Sequence, residues 1–246
     1  MPVSSPLVDV PFLEWDDFVD QFVWYQGEHV TGIGPTGSGK TVLFRELLRN
    51  ARNGTNATGT PTHPWQVITA TKRRDEILDT FRDDGFVKMP SWQVHDAEVF
   101  SKVILAPPLP SAKRKDKQAE PIREALTSIY HQGGWLALLD ELKHLADYLN
   151  LKAEIELLLH QGRSAGITVV SAVQRPRHVP LMAYDQATHL FMWESRDNDI
   201  RKRLGEIGGK ADPKQIEYAL NRLKSKHHFL YIHLPSGLVV ESKVDL

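Results

Sequence analysis

Apolar and polar positions follow two different periods along most of this chain. Short apolar runs that end in turn residues predict strands over 29–33, 65–70, 102–105, 135–139, 167–173 and 189–193. Between these runs, apolar side chains at helical spacing predict helices over 41–51, 75–82, the stretch after Pro121, 142–161 and the stretch after Pro213. Two further strand-like runs on either side of Pro235-Ser236-Gly237 predict a C-terminal β-hairpin.

Strands that alternate with helices predict an α/β fold with a mainly parallel sheet flanked by helices. The run 135–139 is apolar at every position, as in a strand buried on both faces of a parallel sheet. The first 27 residues break the alternation, because they contain proline and mix apolar with acidic side chains. We therefore divide the chain into an N-terminal arm, residues 1–27, which we expect to pack on the main domain, and a domain over 28–246.

Composition narrows the function classes. The chain has 246 residues, and 30 Lys+Arg against 31 Asp+Glu give a formal net charge of −1, so any contact with DNA must come from local patches. The absence of cysteine excludes disulfides and thiolate metal sites. No apolar run approaches the roughly 20 residues that span a bilayer, and the first residues do not resemble a secretory signal. We expect a cytoplasmic protein without membrane insertion.

A glycine-rich stretch lies between the first predicted strand and the helix after it. Its sequence, which matches G-x-x-x-x-G-K-[ST], is Gly34-Pro35-Thr36-Gly37-Ser38-Gly39-Lys40-Thr41. Glycines let backbone N–H groups surround phosphates, and the start of the next helix favours an anion. We expect Lys40 to contact the β- and γ-phosphates of a nucleotide and the Thr41 hydroxyl to bind Mg²⁺.

Two carboxylates, Asp140 and Glu141, follow the buried run 135–139. Because the carboxyl ends of parallel strands meet at one edge of a sheet, we expect Asp140 beside the phosphate loop. There Asp140 would bind Mg²⁺, through water, and Glu141 would activate a water molecule as general base. The alternative is that both residues only cap the next helix, where acidic side chains are favoured.

A third polar stretch, 162–176, surrounds the strand predicted at 167–173. Gln174 is expected at the same sheet edge, where it would hydrogen-bond the attacking water or the γ-phosphate. Arg163 is a candidate to reach the nucleotide of a neighbouring subunit. Composition alone favours an ordinary loop glutamine and a surface arginine.

Together these segments resemble the FtsK/HerA superfamily of P-loop DNA motors. The resemblance is carried by 34–41, by Leu138-Leu139-Asp140-Glu141-Leu142 and by 162–176, of which the strand followed by Gln174-Arg175-Pro176 is the most specific. The segment 68–82 is similar to the second-strand region of type IV secretion coupling proteins. The resemblance extends from about residue 28 to the C-terminus and weakens after Pro176.

The resemblance implies a RecA-like (ASCE) sheet with an additional strand beside the phosphate-loop strand. It also implies that ATP is the nucleotide, that Glu141 is the catalytic base, that Gln174 senses the γ-phosphate, and that arginines, Arg163 among the candidates, act across subunits of a homo-oligomeric, often hexameric, ring. Such a protein translocates or pumps double-stranded DNA. The chain lacks the membrane helices and winged-helix tail of its relatives, which suits a phage or mobile-element motor working in the host cytoplasm.

Alternatives remain at this point. An NTP-dependent switch or an assembly or secretion adaptor would share these motifs without moving DNA, and a loading or secretion partner protein is compatible with either function. A small-molecule kinase is disfavoured by Glu141. The cation-rich segments Lys113–Lys117 and Arg201–Lys226 are candidate DNA contacts, although a solvated surface explains them equally well. His227, His228 and His233 lack the spacing of a transition-metal site.

Overall fold

A computed structural model of the chain describes residues 9–50, 65–72, 76–93, 99–108, 114–174, 182–194 and 209–245. These residues include the strands β1 His29–Ile33, β2 Trp65–Thr69, β3 Val87–Met89, β4 Lys102–Leu105, β5 Trp135–Leu139, β6 Thr168–Val173, β7 Ala187–Trp193, β8 His228–His233 and β9 Leu238–Lys243. The strands form one sheet in the order β3-β4-β2-β5-β6-β1-β7-β8-β9. Neighbouring strands are parallel from β3 to β7 and antiparallel from β7 to β9. The predicted α/β class, mainly parallel sheet and C-terminal hairpin are confirmed.

Helices flank this sheet. They are α1 Trp15–Gln21, α2 Lys40–Asn50, α3 Glu76–Thr80, α4 Asp116–Gln132, α5 Lys152–Gln161, α6 Met182–Asp185 and α7 Pro213–Arg222. Single 3₁₀ turns span Phe81–Asp84 and Gly162–Ala165, and a π-helical turn spans His144–Tyr148. Within the described part of the chain, none of the helices combines the length and apolar character needed to cross a membrane.

The sheet separates two clusters of buried apolar side chains, and β5 contributes to both. Ala137 and Leu139 belong to the cluster beneath α4 and α5, whereas Leu136 and Leu138 belong to the cluster beneath α1 and α2. Burial on both faces is the reason that this strand is apolar at every position. The carboxyl end of β5 is thereby held rigidly in the centre of the sheet.

The described part of the N-terminal arm, residues 9–27, packs against the antiparallel side of the sheet. Phe18 in α1 is 2% exposed and makes edge-to-face contacts with the rings of Phe229 and Tyr231. The Leu13 amide donates to the Glu241 carbonyl at 2.9 Å, which ties the segment to β9. The segment therefore shares a core with the sheet, and the domain boundary at residue 27 stays a prediction.

The helix expected after Pro121 begins earlier, at Asp116. A proline inside a helix removes the hydrogen bond to the carbonyl four residues before it. Ala119, Ile122 and Ala125 are nevertheless buried on the same helix face, and this packing stabilises the helix on both sides of the proline. The basic segment Lys113–Lys117 is consequently not all loop, because its last two residues form the start of α4, while Lys113 lies outside the described residues.

The single helix expected over 142–161 is also wrong. A π-helical turn occupies His144–Tyr148, Asn150 adopts a φ of 56°, and α5 begins only at Lys152. Asparagine is one of the few residues that tolerates the left-handed region, so it can end the turn at little cost. Strand β3 was not predicted, because three residues are too few to display an alternating pattern.

Candidate nucleotide-binding site

The predicted phosphate loop connects β1 to α2. The Gly34 amide donates to the Val173 carbonyl at 3.0 Å, which fastens the loop to β6. A side chain at Gly34 would place its Cβ 2.7 Å from the Cβ of Trp193, closer than real Cβ atoms approach. At Gly39, where φ is +99°, a Cβ would lie 3.1 Å from the side chain of Val244. Both glycines are therefore required by the path of the loop.

Lys40 opens α2 and lies over the loop. Its Nζ donates to the Gly34 carbonyl at 2.6 Å and to the Pro35 carbonyl at 2.8 Å. Burial lowers the pKa of Lys40 to about 8, the nearby positive charge of Lys72 acts in the same direction, and the carboxylates of Asp140 and Glu141 oppose the shift. A bound phosphate would add further negative charge beside this buried ammonium and would favour its charged form.

Asp140 and Glu141 follow β5 at the same edge of the sheet. Asp140 is buried, with 7% exposure. Glu141 has a φ of 57°, and its carbonyl accepts a hydrogen bond from the His144 amide, where the π-helical turn starts. A left-handed glutamate is uncommon, and backbone strain of this kind concentrates at functional sites.

Gln174 comes directly after β6, the neighbour of β5. Its side-chain amide donates to Oε1 of Glu141 at 2.9 Å. The predicted sensor and the predicted base are therefore in direct contact. The side chain of Glu141 is occupied by this contact at the sheet edge, which argues against helix capping as its main role.

Lys72 is a member of this cluster that the sequence analysis did not assign to the site. It follows β2, and its Nζ lies 3.0 Å from Oε1 of Glu141 and 3.7 Å from Oδ2 of Asp140. The feature of the sequence that points to Lys72 is its position just after the strand β2. Because β2 and β5 are parallel, a residue just beyond β2 reaches the sheet edge where Asp140 lies.

These side chains line one cleft of about 240 Å³ together with the phosphate loop and Thr41. The hydroxyl of Thr41 and the carboxylate of Asp140 are both oxygen donors, the type that Mg²⁺ prefers. The residues present thus fit a magnesium ion held partly by the phosphates of a nucleotide.

Arg163 lies apart from this cleft. It belongs to the 3₁₀ turn that precedes β6, whereas Gln174 follows β6, so the two residues mark opposite edges of the sheet. The Arg163 guanidinium donates to the Thr188 hydroxyl at 3.0 Å. Within one chain it does not contact the candidate nucleotide site, and its action across subunits stays a prediction.

The sheet is mostly parallel, and β6 separates the phosphate-loop strand β1 from β5, the strand that Asp140 follows. This arrangement defines the RecA-like P-loop NTPase fold of the ASCE type. No protein-family model and no curated protein matches the chain. The solved structures that share its fold include three of viral packaging enzymes. The first is the genome packaging NTPase B204 from Sulfolobus turreted icosahedral virus 2 in complex with sulfate, at 16% identity and a TM-score of 0.63 over 89% of this chain and 97% of that one.

The same NTPase in complex with AMPPCP is 15% identical, with a TM-score of 0.60 over 90% of this chain and 100% of that one. B204, the DNA-packaging ATPase from Sulfolobus Turreted Icosahedral Virus, is 18% identical, with a TM-score of 0.63 over 91% and 100%. These similarities confirm, at the level of the fold, the resemblance drawn from the sequence.

Proposed function

We propose that this chain is an ATPase that hydrolyses ATP to move double-stranded DNA, working as a ring of identical subunits. The observation that carries the proposal is a single cleft that contains the phosphate loop with Lys40, the Asp140 carboxylate and the hydrogen-bonded pair Glu141–Gln174. A phosphate-binding element and a water-activating element within one cleft are what hydrolysis of a nucleotide requires.

In this proposal the backbone amides of the loop and Lys40 bind the triphosphate. Thr41 and Asp140 hold Mg²⁺, which neutralises phosphate charge when it is bound. Lys40 contributes most strongly when phosphate replaces the loop carbonyls as its partner, because a buried ammonium is stabilised more by an anion than by neutral oxygens.

Glu141 accepts the proton of the attacking water as the water oxygen bonds to the γ-phosphorus and the bond to the β,γ-bridging oxygen breaks. The products are ADP and inorganic phosphate. The hydrogen bond from Gln174 fixes the carboxylate of Glu141 and joins it to β6, so that a change at the γ-phosphate reaches that strand. This link is the physical basis for the proposed sensor role.

Two features support the coupling of this cleft to DNA. The proteins of similar fold are a genome packaging NTPase and a DNA-packaging ATPase. In this chain, the ammonium of Lys115, at the start of α4, lies 5.7 Å from the ring centroid of Tyr148. Tyr148 belongs to the π-helical turn that follows Glu141, so a phosphate bound near the start of α4 would act on the element next to the catalytic base.

The ring arrangement is supported by the position of Arg163, because a residue that serves a neighbouring subunit must lie away from its own nucleotide. We propose a hexamer by analogy with the FtsK/HerA superfamily, and a cytoplasmic location. The particle mass with an ATP analogue and duplex DNA tests the ring directly. A monomeric mass under these conditions contradicts it.

The steady-state ATPase rate with and without duplex DNA tests the motor itself. We expect stimulation by DNA that falls steeply as salt is raised, because contacts to phosphates release counterions. Lys117→Gln, at the exposed start of α4, should weaken the stimulation, whereas the matched variant Lys152→Gln on α5 should not. Hydrolysis that is indifferent to DNA would instead favour the switch or adaptor function.

A further inference from the structure

Lys72 is the one cation in the described cleft that the proposed reaction leaves without a role. Its ammonium bridges both carboxylates of the cleft, at 3.0 Å from Glu141 and 3.7 Å from Asp140. Its side chain is 42% exposed, so the contact is not forced by packing. Exposed ion pairs contribute little to the stability of a fold, so stability alone does not account for this one.

The charges that line the cleft suggest a role for the ion pairs that Lys72 makes with Asp140 and Glu141. Among the lining residues that the structure describes, two lysines, Lys40 and Lys72, face two carboxylates, Asp140 and Glu141. The ammonium of Lys40 donates hydrogen bonds to two carbonyls of the phosphate loop. The ammonium of Lys72 is thus a positive group within 4 Å of both carboxylates while the nucleotide is absent.

A divalent cation would compete with Lys72 for Asp140. An ammonium 3.7 Å from the Asp140 oxygen repels any cation that approaches the same carboxylate, and it supplies part of the stabilisation that the cation would offer. A triphosphate changes this balance, because its negative charges attract both the ion and the lysine. The cation and the nucleotide would then enter the cleft together.

We propose that Lys72 is the counter-cation that keeps free Mg²⁺ out of the empty cleft, so that the ion binds Asp140 only in company with a nucleotide. This inference rests on the proposed metal role of Asp140. It assigns to Lys72 a function in the order of binding and not in the chemical step.

The affinity of the nucleotide-free protein for Mn²⁺ tests the inference. Mn²⁺ is a paramagnetic substitute for Mg²⁺, so electron paramagnetic resonance measures its binding. Lys72→Met should raise the affinity for Mn²⁺ about tenfold, a size expected when a unit charge a few ångströms away is removed from a partly exposed site. Lys72→Arg, which keeps the charge, should match the wild-type chain. Lys143→Met, a lysine that lines the adjacent cavity, is the matched control and should change nothing.

The double variant Lys72→Met/Asp140→Asn should lose the gain, which assigns the ion to Asp140. Lys72→Gln is a second substitution that carries the same test if Lys72→Met does not fold. An unchanged Mn²⁺ affinity in a folded Lys72→Met or Lys72→Gln chain overturns the inference, and so does an equal gain in Lys72→Arg.

The outcome is separable from the fate of the proposed function. Hydrolysis that ignores DNA contradicts the motor and leaves the Mn²⁺ result intact. If wild-type protein binds Mn²⁺ together with an ATP analogue and Lys72→Met shows no gain without the analogue, only the role of Lys72 is lost. If neither protein binds Mn²⁺ in the presence of the analogue, the proposed metal role of Asp140 is lost as well.

Discussion

The side-chain amide of Gln174 donates a hydrogen bond of 2.9 Å to Oε1 of Glu141. Gln174 and Glu141 follow adjacent parallel strands, β6 and β5. Lys72 lies just beyond β2, and its Nζ is 3.0 Å from the same oxygen of Glu141. Three strands thus fix the position of one carboxylate. Residues far apart in the sequence converge because parallel strands present their carboxyl ends at one edge.

Replacing the proposed base separates binding from chemistry. Glu141→Gln keeps the size and polarity of the side chain but removes its ability to accept a proton. We expect nucleotide affinity to change little and turnover to fall by about 10²–10⁴-fold. Fluorescent-nucleotide titration and single-turnover hydrolysis check both parts, with Glu156→Gln on α5 as the control. Hydrolysis at the wild-type rate would remove Glu141 from the mechanism.

Gln174→Ala removes the hydrogen bond that orients Glu141. Because hydrogen bonds to charged groups are worth about 1.5–3 kcal/mol, we expect kcat to fall by about tenfold or more, with little change in the dissociation constant of ATP. The measurement is a steady-state comparison of kcat with KM, alongside direct nucleotide binding. A variant that loses affinity but keeps kcat would make Gln174 a binding residue and not a sensor.

Nucleotide binding should depend on pH through Lys40. In the empty cleft the pKa of Lys40 is lowered to about 8, chiefly by burial, and a bound triphosphate favours the charged form and raises the pKa. Binding therefore takes up a proton near and above pH 8, and affinity should fall about tenfold per pH unit beyond it.

Titration calorimetry in buffers of different ionisation enthalpy measures this proton uptake directly. We expect a larger uptake at pH 8.5 than at pH 7. In Lys40→Arg the guanidinium stays charged at both pH values. Any nucleotide binding that this variant retains should therefore take up no proton. Equal proton release or uptake at both pH values in the wild-type chain would contradict the coupling.

His29 makes the fold sensitive to acid. Its Nδ1 accepts from the Val169 amide at 3.1 Å, so its Nε2–H donates to the Leu159 carbonyl at 3.1 Å, and the ring is neutral. Burial and the nearby charge of Arg163 lower the pKa of His29 to about 4, compared with an ordinary value near 6.5. The unfolded chain therefore takes up the proton first, and stability should fall as the pH drops from 6.5 to 4.

The expected loss is on the order of 3 kcal/mol over that range. Urea denaturation at pH 7.5, 5.5 and 4.5 gives the free energy of unfolding at each pH. His29→Asn should be less stable at pH 7.5 and should lose less stability on acidification than the wild-type chain. The exposed His131→Asn serves as the control, and an identical acid dependence in all three proteins would contradict this account.

The parts of the fold with a local cause were accessible from the sequence. The apolar run Trp135–Leu139 predicts a strand buried on both faces, and the glycine-rich stretch 34–41 predicts the loop between β1 and α2. A parallel sheet predicts that three polar residues lie close together, and the structure places them in one cleft: Asp140, Glu141 and Gln174. Their roles stay predictions.

Other features depend on the order of strands in space. Lys72 belongs to the cleft only because β2 pairs with β5, and no pattern near residue 72 reports this pairing. The π-helical turn after Glu141 lies between two residues with left-handed backbone, Glu141 and Asn150, which the helical spacing of leucines does not reveal. The opposite placement of Arg163 likewise follows from the direction of β6.

The contact between Val244 and Gly39 links the last strand to the phosphate loop. The Val244 amide donates to the His227 carbonyl at 3.0 Å, and this bond holds the valine against the loop. Proteolytic trimming that removes Val244 would therefore weaken nucleotide affinity, although that residue lies outside the cleft.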